Sequence, residues 1–428
     1  MKTLYTTLIL ALAFGLSATS ALAQSTLQNT SFTASALNNQ IIPLNIYLPD
    51  GYATAGKEYP LYIFLHGCCG NAPSSHTTLF KARLDALIGS GDVEPMIMAF
   101  PSIQGADYGN RHIFMNSVRN GDYGDAITVD LMDFMNANYR ISKDARLRAI
   151  GGFSMGGDGA WRLGVVNPDS FGTVLSHGAF PALDPFPALI APSFLQENGG
   201  SAPYTFSPSA GAFSAITFGL SSTWSPNLLN SPYMLDLPVK TDGTLDTALF
   251  QSWYSVADVS TMIRERTPNP SAIAQCYYFD VGTQVGLLFP SNQLLDKQFD
   301  TMKTEGYSFS VKYIAFNAGH AVSQARVDSS LTWLSKRYLS TILNRDQELY
   351  SLKASIFVSQ QSLLLDIPDV VNGKEVMIQI SGIDGKTLYR KRNQPSTRIS
   401  IPISGLSKGV YFIRIKHNGH LKTLKFMI

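Results

Sequence analysis

The run Gly152-Phe153-Ser154-Met155-Gly156-Gly157 sets one serine among closely spaced glycines. It lies between the apolar strand Leu147-Arg148-Ala149-Ile150-Gly151 and a helical stretch expected to begin near Asp158. Between a strand and a helix, Gly-x-Ser-x-Gly forces a tight reversal that lifts the hydroxyl clear of the sheet, and side chains at the glycine positions would collide. A serine held this way suits acyl transfer, which needs a base for its proton and N–H donors for the developing oxyanion. The Met155 backbone N–H is one expected donor. The second is the backbone N–H of Cys68, in the run His66-Gly67-Cys68-Cys69-Gly70 that follows the apolar strand Leu61–Leu65, with His66 and Gly67 shaping the loop. Cys68 could itself be read as a nucleophile, but the sequence gives it no paired base. The expected base is His320, in Phe316-Asn317-Ala318-Gly319-His320 after the last strand of this region, accepting the Ser154 proton through Nε2. His76, His112 and His177 are rivals whose positions do not fit the order serine, acid, histidine. His177, beside the strand Thr173–Ser176, is expected to line the site or pack under it.

These residues need a scaffold. From Leu61 to about Leu343 apolar strands alternate with amphipathic helices. Leu61–Leu65 and Pro95–Phe100 read as central strands, and residues near Asp125 to Asn138 show helical spacing through Ile127, Leu131, Phe134 and Met135. Near-continuous apolar strands separated by helices predict a mostly parallel sheet covered on both faces. Gln40 to Tyr47 and the segment before it read as a leading antiparallel pair. The stretch 179–274 breaks the rhythm, being rich in Ser, Pro, Gly and aromatics such as Phe213, Phe218, Trp224, Tyr233, Trp253 and Tyr254. It is too long for an ordinary connection and is expected to be an insertion packed over the site. The alternation resumes with strands at Cys276–Val281 and Ser310–Phe316 and helices at Ser291–Lys303 and Val327–Leu343.

After Arg345 the period changes to two, in Val376–Ile380, Ser400–Ile403 and Tyr411–Ile415, with turn signals at Asn372-Gly373, Asp384-Gly385 and Asn418-Gly419. A small immunoglobulin-like β-sandwich is expected there. The expected organisation is therefore a leader at 1–23, an α/β domain at 24–345 and a β-sandwich at 346–428.

The blocks Leu65-His66-Gly67, Met115-Asn116-Ser117, Asp130-Leu131 with Asn138-Tyr139-Arg140, Gly152 to Gly157, Gly282-Thr283 and Gly319-His320 resemble the esterase D-like branch of the α/β-hydrolases. That branch includes feruloyl and acetyl esterases, S-formylglutathione hydrolases and mycolyltransferases, and the resemblance covers roughly residues 40 to 343. It implies an α/β-hydrolase fold and carboxylic-ester hydrolysis through an acyl-enzyme. One position departs from the pattern. Family members resemble Gly-Thr-Glu-Asp after the strand that here ends at Val281, and the Asp is the triad acid, whereas this chain reads Gly282-Thr283-Gln284-Val285. Valine cannot orient an imidazole, and loss of the acid slows turnover about 10⁴-fold. Asp280 or Asp184 could substitute, a Ser–His dyad could suffice, or the chain could be a catalytically degenerate binding or cell-surface protein.

The tail carries Leu406-Ser407-Lys408-Gly409-Val410-Tyr411 and then the basic stretch Leu421-Lys422-Thr423-Leu424-Lys425-Phe426. It resembles the C-terminal sorting domain of the type IX secretion system of certain Gram-negative bacteria. The resemblance implies recognition by the secretion machinery, export across inner and outer membranes, and release or attachment at the cell surface. The other end agrees: Lys2, the apolar run Leu8–Leu16 and Ala21-Leu22-Ala23 form a signal peptide, and the mature chain is expected to begin at Gln24.

Composition bounds what else the chain can do. Hydrophobic residues make up 45% and charged residues 15%, the balance of an ordered protein rather than a disordered one. A net charge of +2 without a Lys/Arg block argues against a nucleic-acid partner. No apolar run after the leader reaches the length of a membrane span. The Asp and His residues lack ligand spacing, with Asp242 and Asp246 read as a solvated turn, so neither a metal nor a cofactor is expected. Cys68 and Cys69 follow one end of a strand and Cys276 opens the other end of another, too far apart for a disulfide. The expected partners are an ester substrate, small or linked to a polysaccharide, and the secretion machinery.

Overall fold

The computed structural model describes residues 25–68, 73–105, 108, 111–207, 209, 211–266, 275–350, 354–359, 361–367, 375–382, 386–393, 396–417 and 420–428. The expected signal peptide, Cys69 and the three Asn-Gly and Asp-Gly turn signals of the tail lie outside the described residues. The chain divides into two compact units, the first ending at Tyr338 and the second running from Leu339 to Ile428.

The first unit is built on an eight-stranded sheet. Its leading antiparallel pair is β1 (Thr26–Ala34) and β2 (Gln40–Leu48), followed by β3 (Leu61–Leu65) and β4 (Ile97–Pro101). A two-residue hairpin of β5 (Asn116–Ser117) and β6 (Gly121–Asp122) stands apart from the sheet, which continues with β7 (Arg148–Phe153), β8 (Thr173–His177), β9 (Cys276–Gly282) and β10 (Ser310–Phe316). The order across the sheet is β1-β2-β4-β3-β7-β8-β9-β10, and every pair from β4 to β10 is parallel. Every residue of β3, β4 and β8 is buried, and β3 and β4 accordingly read as unbroken apolar runs. The registers Leu65 with Gly152 and His177 with Asp280 bring the C-terminal ends of β3, β7, β8 and β9 level with one another. Ligands of open α/β sheets bind at that edge.

Helices cover both faces. They are α1 (Pro73–Gly89), a composite α2 that opens at Tyr123–Asp125, passes through a π-helical segment at Ala126–Leu131 and continues as Met132–Asn138, and α3 (Met155–Val166). The α3 helix starts at Met155 rather than near Asp158, because the Asp158 amide already donates to the Ser154 carbonyl at 2.9 Å. Trp161 of α3 is fully buried against the rings of Tyr277, Phe279 and Phe299.

The described residues between 179 and 266 include short helices: α4 (Phe186–Leu189), α5 (Ala191–Glu197), α6 (Ala212–Trp224), α7 (Thr247–Ser252), α8 (Tyr254–Ala257) and α9 (Val259–Arg266). Their aromatics make a separate apolar core in which Phe186, Phe194, Phe218 and Trp253 are completely buried. The Asp246 side chain caps α7 by accepting from the Leu249 amide, and Asp242 accepts from the amide and hydroxyl of Thr244, so the pair expected at a turn is spent on local backbone. The helices α10 (Phe289–Thr304) and α11 (Gln324–Tyr350) flank β10 in sequence.

The second unit is all-β. Strands β11 (Ser355–Val358), β12 (Ser362–Asp366) and β15 (Arg398–Pro402) form one sheet, while β13 (Val376–Gly382), β14 (Thr387–Asn393), β16 (Val410–His417) and β17 (His420–Met427) form the other. All pairings are antiparallel. Alternate residues such as Leu363, Leu365, Ile378, Ile380, Ile401, Ile413 and Ile415 face inward into one core, the two-residue period expected for a sandwich. No helix among the described residues is long and apolar enough to cross a membrane.

Candidate active site

Ser154 sits at the end of β7 with φ 55° and ψ −119°, a conformation that costs a non-glycine residue about 1–3 kcal/mol and persists only where the surroundings enforce it. Its amide donates to the His177 carbonyl at 2.8 Å, tying the turn to the end of β8. The side chain projects toward the loop after β10, where His320 Nε2 lies 3.0 Å from Ser154 Oγ. In the neutral imidazole with its proton on Nδ1, the serine hydroxyl donates to Nε2, the geometry a general base needs. Phe153 packs its ring against the imidazole at 4.6 Å between centroids and helps hold it in place.

The loop bearing His320 is fixed by backbone pairing with the loop after β9. Thr283 N donates to the Phe316 carbonyl at 2.8 Å and Gln284 N to the Ala318 carbonyl at 3.1 Å. Val285, at the position where the family pattern has its acid, lines the same cavity as Ser154 and His320. Among the described residues no carboxylate hydrogen-bonds His320.

Both alternative acids are engaged elsewhere. Asp280 is completely buried and accepts from His177 Nδ1 at 2.7 Å and from Arg326 Nε at 2.7 Å, with Arg326 Nη2 also paired to it. Arg326, itself completely buried, also donates to the Ala321 carbonyl at 2.5 Å. Asp184 is exposed and accepts the Tyr254 hydroxyl. Instead of a carboxylate, the Nδ1 side of His320 faces Gly178 and the Arg326 guanidinium. Gly178 has φ +63°, and a Cβ there would lie 3.2 Å from His320 Nδ1 and 3.4 Å from Arg326 Nη2, so only glycine leaves the ring its place. One edge of His320 is open to solvent. Desolvation of the rest of the ring, and then the Arg326 charge, hold its pKa below the usual value.

The residues assigned to the oxyanion hole converge as well. Cys68 and Met155 both line the cavity with Ser154. His66 Nδ1 lies 2.8 Å from the Gly67 carbonyl and Nε2 lies 2.9 Å from the Ile103 carbonyl. Both partners are acceptors, and burial lowers the His66 pKa, so a neutral ring donates to one of them at a time. The Gly67 carbonyl belongs to the same peptide unit as the Cys68 amide, so this bond sets the plane of the proposed donor. Cys68 and Cys276 are thiols, not disulfide partners.

The other histidines have structural partners. His112 is buried, stacks on Tyr123 at 4.0 Å and accepts the Phe114 amide on Nδ1 at 3.0 Å, and burial holds its pKa at about 3. His76 packs edge-on to Phe64 and Phe153. His177, the last residue of β8, is buried and pairs with Asp280.

Two features escaped the sequence. Arg326 had no local signal, since its partner Asp280 lies on another element. Arg111, also a cavity residue, follows no motif. The cavity measures about 330 Å³ and is walled mainly by Ile113, Phe180, Ile190, Leu220, Trp224 and Leu288. Phe180, Ile190, Leu220 and Trp224 come from the stretch 179–274, which thus supplies part of the cavity wall.

Residues 35–227 match the model of the family described as "Putative esterase". Residues 360–428 match the secretion system C-terminal sorting domain, so the chain ends in a module of exported proteins. An esterase of Mycobacterium tuberculosis, Rv1288, is 29% identical over 138 residues, 31% of this chain and 28% of that protein. Endo-1,4-beta-xylanase Y of Acetivibrio thermocellus is 27% identical over 130 residues, 28% of this chain and 11% of that protein. The chain thus spans well under two thirds of the curated relatives it matches. Among solved structures, a ferulic acid esterase superposes with a TM-score of 0.51 at 17% identity, covering 73% of this chain and 99% of its own. The first unit therefore has the α/β-hydrolase fold, as expected from its alternating strands and helices.

Proposed function

We propose that the chain is a secreted serine carboxylic-ester hydrolase that works through an acyl-enzyme, with a Ser154–His320 dyad. The observation that carries this is the 3.0 Å contact between His320 Nε2 and Ser154 Oγ, made while Ser154 is held at φ 55° above the sheet edge. In the first half-reaction His320 takes the hydroxyl proton as Ser154 Oγ bonds to the ester carbonyl carbon. The oxyanion that forms is held by the Cys68 and Met155 amides. The tetrahedral adduct collapses, His320 returns the proton to the departing alcohol, and the acyl group remains on Ser154. Water, deprotonated by the same imidazole, then bonds to the acyl carbon, and the acyl–Oγ bond breaks as His320 passes the proton to Ser154 Oγ and the acid leaves.

What the dyad lacks is a carboxylate to stabilise the imidazolium, and the Arg326 charge opposes it. The chain is therefore a slow hydrolase, or one suited to activated esters. The match to the esterase family and the fold shared with a ferulic acid esterase support acyl or feruloyl esters, free or on polysaccharides, as the substrate class. The sorting domain and the leader support export across the inner and outer membranes of a Gram-negative bacterium.

Hydrolysis of p-nitrophenyl acetate tests the reading. Ser154→Ala and His320→Ala should each slow turnover about 10³-fold or more while leaving the fold intact. A wild-type rate equal to that of Ser154→Ala would favour the second reading, a degenerate hydrolase scaffold that binds without cleaving, for which the missing acid at Val285 is the motivating observation.

A further inference from the structure

Beyond Ser154 and His320 themselves, the cavity is walled mainly by apolar side chains, with two charged ones among its described lining residues, Asp158 and Arg111. Asp158 is satisfied from within, accepting from Arg162 Nη1 at 2.6 Å and from the Phe180 amide at 3.1 Å. Arg111 is not. It donates from Nη1 to the Tyr108 carbonyl at 2.9 Å, its Nε is buried without a hydrogen-bond partner, and no carboxylate pairs with it among the described residues.

The position of Arg111 is nevertheless well determined. Its stem crosses α6 at Gly219, where an added Cβ would fall 2.6 Å from Arg111 Cβ and 3.1 Å from Cδ. The helix thus gives up a side chain so that the arginine can lie flat against its backbone. Guanidinium groups lose little entropy per bond because their donors are held in a planar fork, and that fork matches a carboxylate. Leaving such a cation half-buried beside an apolar cavity, with donors unmet, is costly unless something that enters the cavity meets them.

The geometry points to an anionic substrate: an ester that carries a carboxylate on the portion seated in the cavity, read by Arg111. This rests on the esterase reading above and narrows it. The carboxylate could belong to the acyl part, as in a half-ester of a dicarboxylic acid, or to the alcohol part, as in an ester of a hydroxy acid. The recognising chemistry is the same in both.

Two matched pairs of esters separate these sources. Mono-p-nitrophenyl adipate against p-nitrophenyl hexanoate tests the acyl side, and 4-acetoxybenzoate against phenyl acetate tests the alcohol side. Rates are taken above the Ser154→Ala background, and folding of each variant is checked by its melting temperature. A charge-assisted bond to a carboxylate corresponds to about 10- to 100-fold in kcat/KM. In one of the two pairs, Arg111→Met should lower the ratio of anionic to neutral kcat/KM by that factor, mainly through KM, and Arg111→Lys should lower it less. The inference is overturned if Arg111→Met shifts the ratio by less than about threefold in both pairs. Hydrolysis of none of the four esters above background would instead sink the esterase reading on which it stands.

Discussion

Replacing Asp280 with asparagine should damage the fold more than the chemistry. Asp280 is the anionic centre of a completely buried cluster, accepting from both His177 and Arg326. Asparagine keeps the shape and one acceptor oxygen but removes the charge, leaving Arg326 buried without a counter-ion. Breaking a buried pair from one side costs about 3–5 kcal/mol. For a unit of this size each kcal/mol corresponds to roughly 2–4 °C, so Tm should fall on the order of 10 °C. The effect on turnover should be small, because Asp280 makes no hydrogen bond to His320. Below the lowered Tm, turnover per titrated active site should stay within about tenfold of wild type, whereas loss of a true triad acid slows it about 10⁴-fold. The measurement is thermal unfolding followed by circular dichroism, together with p-nitrophenyl acetate kinetics normalised to titrated sites. Turnover slowed by roughly a thousandfold or more at unchanged Tm would refute the reasoning and make Asp280 the acid.

Three further outcomes follow from the same geometry. Val285→Asp puts a carboxylate at the position where the family pattern has its acid, and turnover should rise about tenfold or more on unactivated esters, measured on ethyl acetate in a pH-stat. In the wild type, burial and Arg326 hold the His320 pKa below its usual value of about 6.5, and the base works only when neutral. The acidic limb of kcat/KM should therefore fall off only below that pH, whereas Val285→Asp should move the limb upward because a carboxylate favours the imidazolium. His66→Ala frees the Gly67–Cys68 peptide plane, and kcat should drop about 10- to 100-fold with KM little changed, by steady-state kinetics on folded protein.

The parts of this fold that were legible in the sequence are those whose cause is local. The unbroken apolar runs of β3 and β4 record burial on both faces, and the alternation in β13, β15 and β16 records a sheet with one face inward. The reversal at Ser154 is written in its flanking glycines. The start of α3 was displaced by a turn because the bond from Asp158 N to Ser154 O closes over the serine itself, which no residue pattern announces. The π segment at Ala126–Leu131 was equally silent, since its apolar spacing is that of an ordinary helix.

The absence of an acid beside His320 among the described residues was the hardest part to read. Sequence pattern showed that Val285 stands at the acid position and offered Asp280 and Asp184 as candidates. Their occupation by His177, Arg326 and Tyr254 depends on side chains between 46 and 103 residues away. Such pairings follow from the sheet register and from where α11 starts. The same holds for Arg111, whose seat on Gly219 comes from α6 in the insertion, the segment the sequence described only as aromatic and irregular.

The central claim, that Ser154 is a nucleophile activated by His320, is tested most directly by covalent labelling with a fluorophosphonate at neutral pH, mapped by peptide mass spectrometry. The expected result is one phosphonyl group on the peptide containing Ser154 in the wild type, much slower labelling in His320→Ala and none in Ser154→Ala. Absence of labelling in folded wild-type protein, or a label on Cys68 instead, would contradict it.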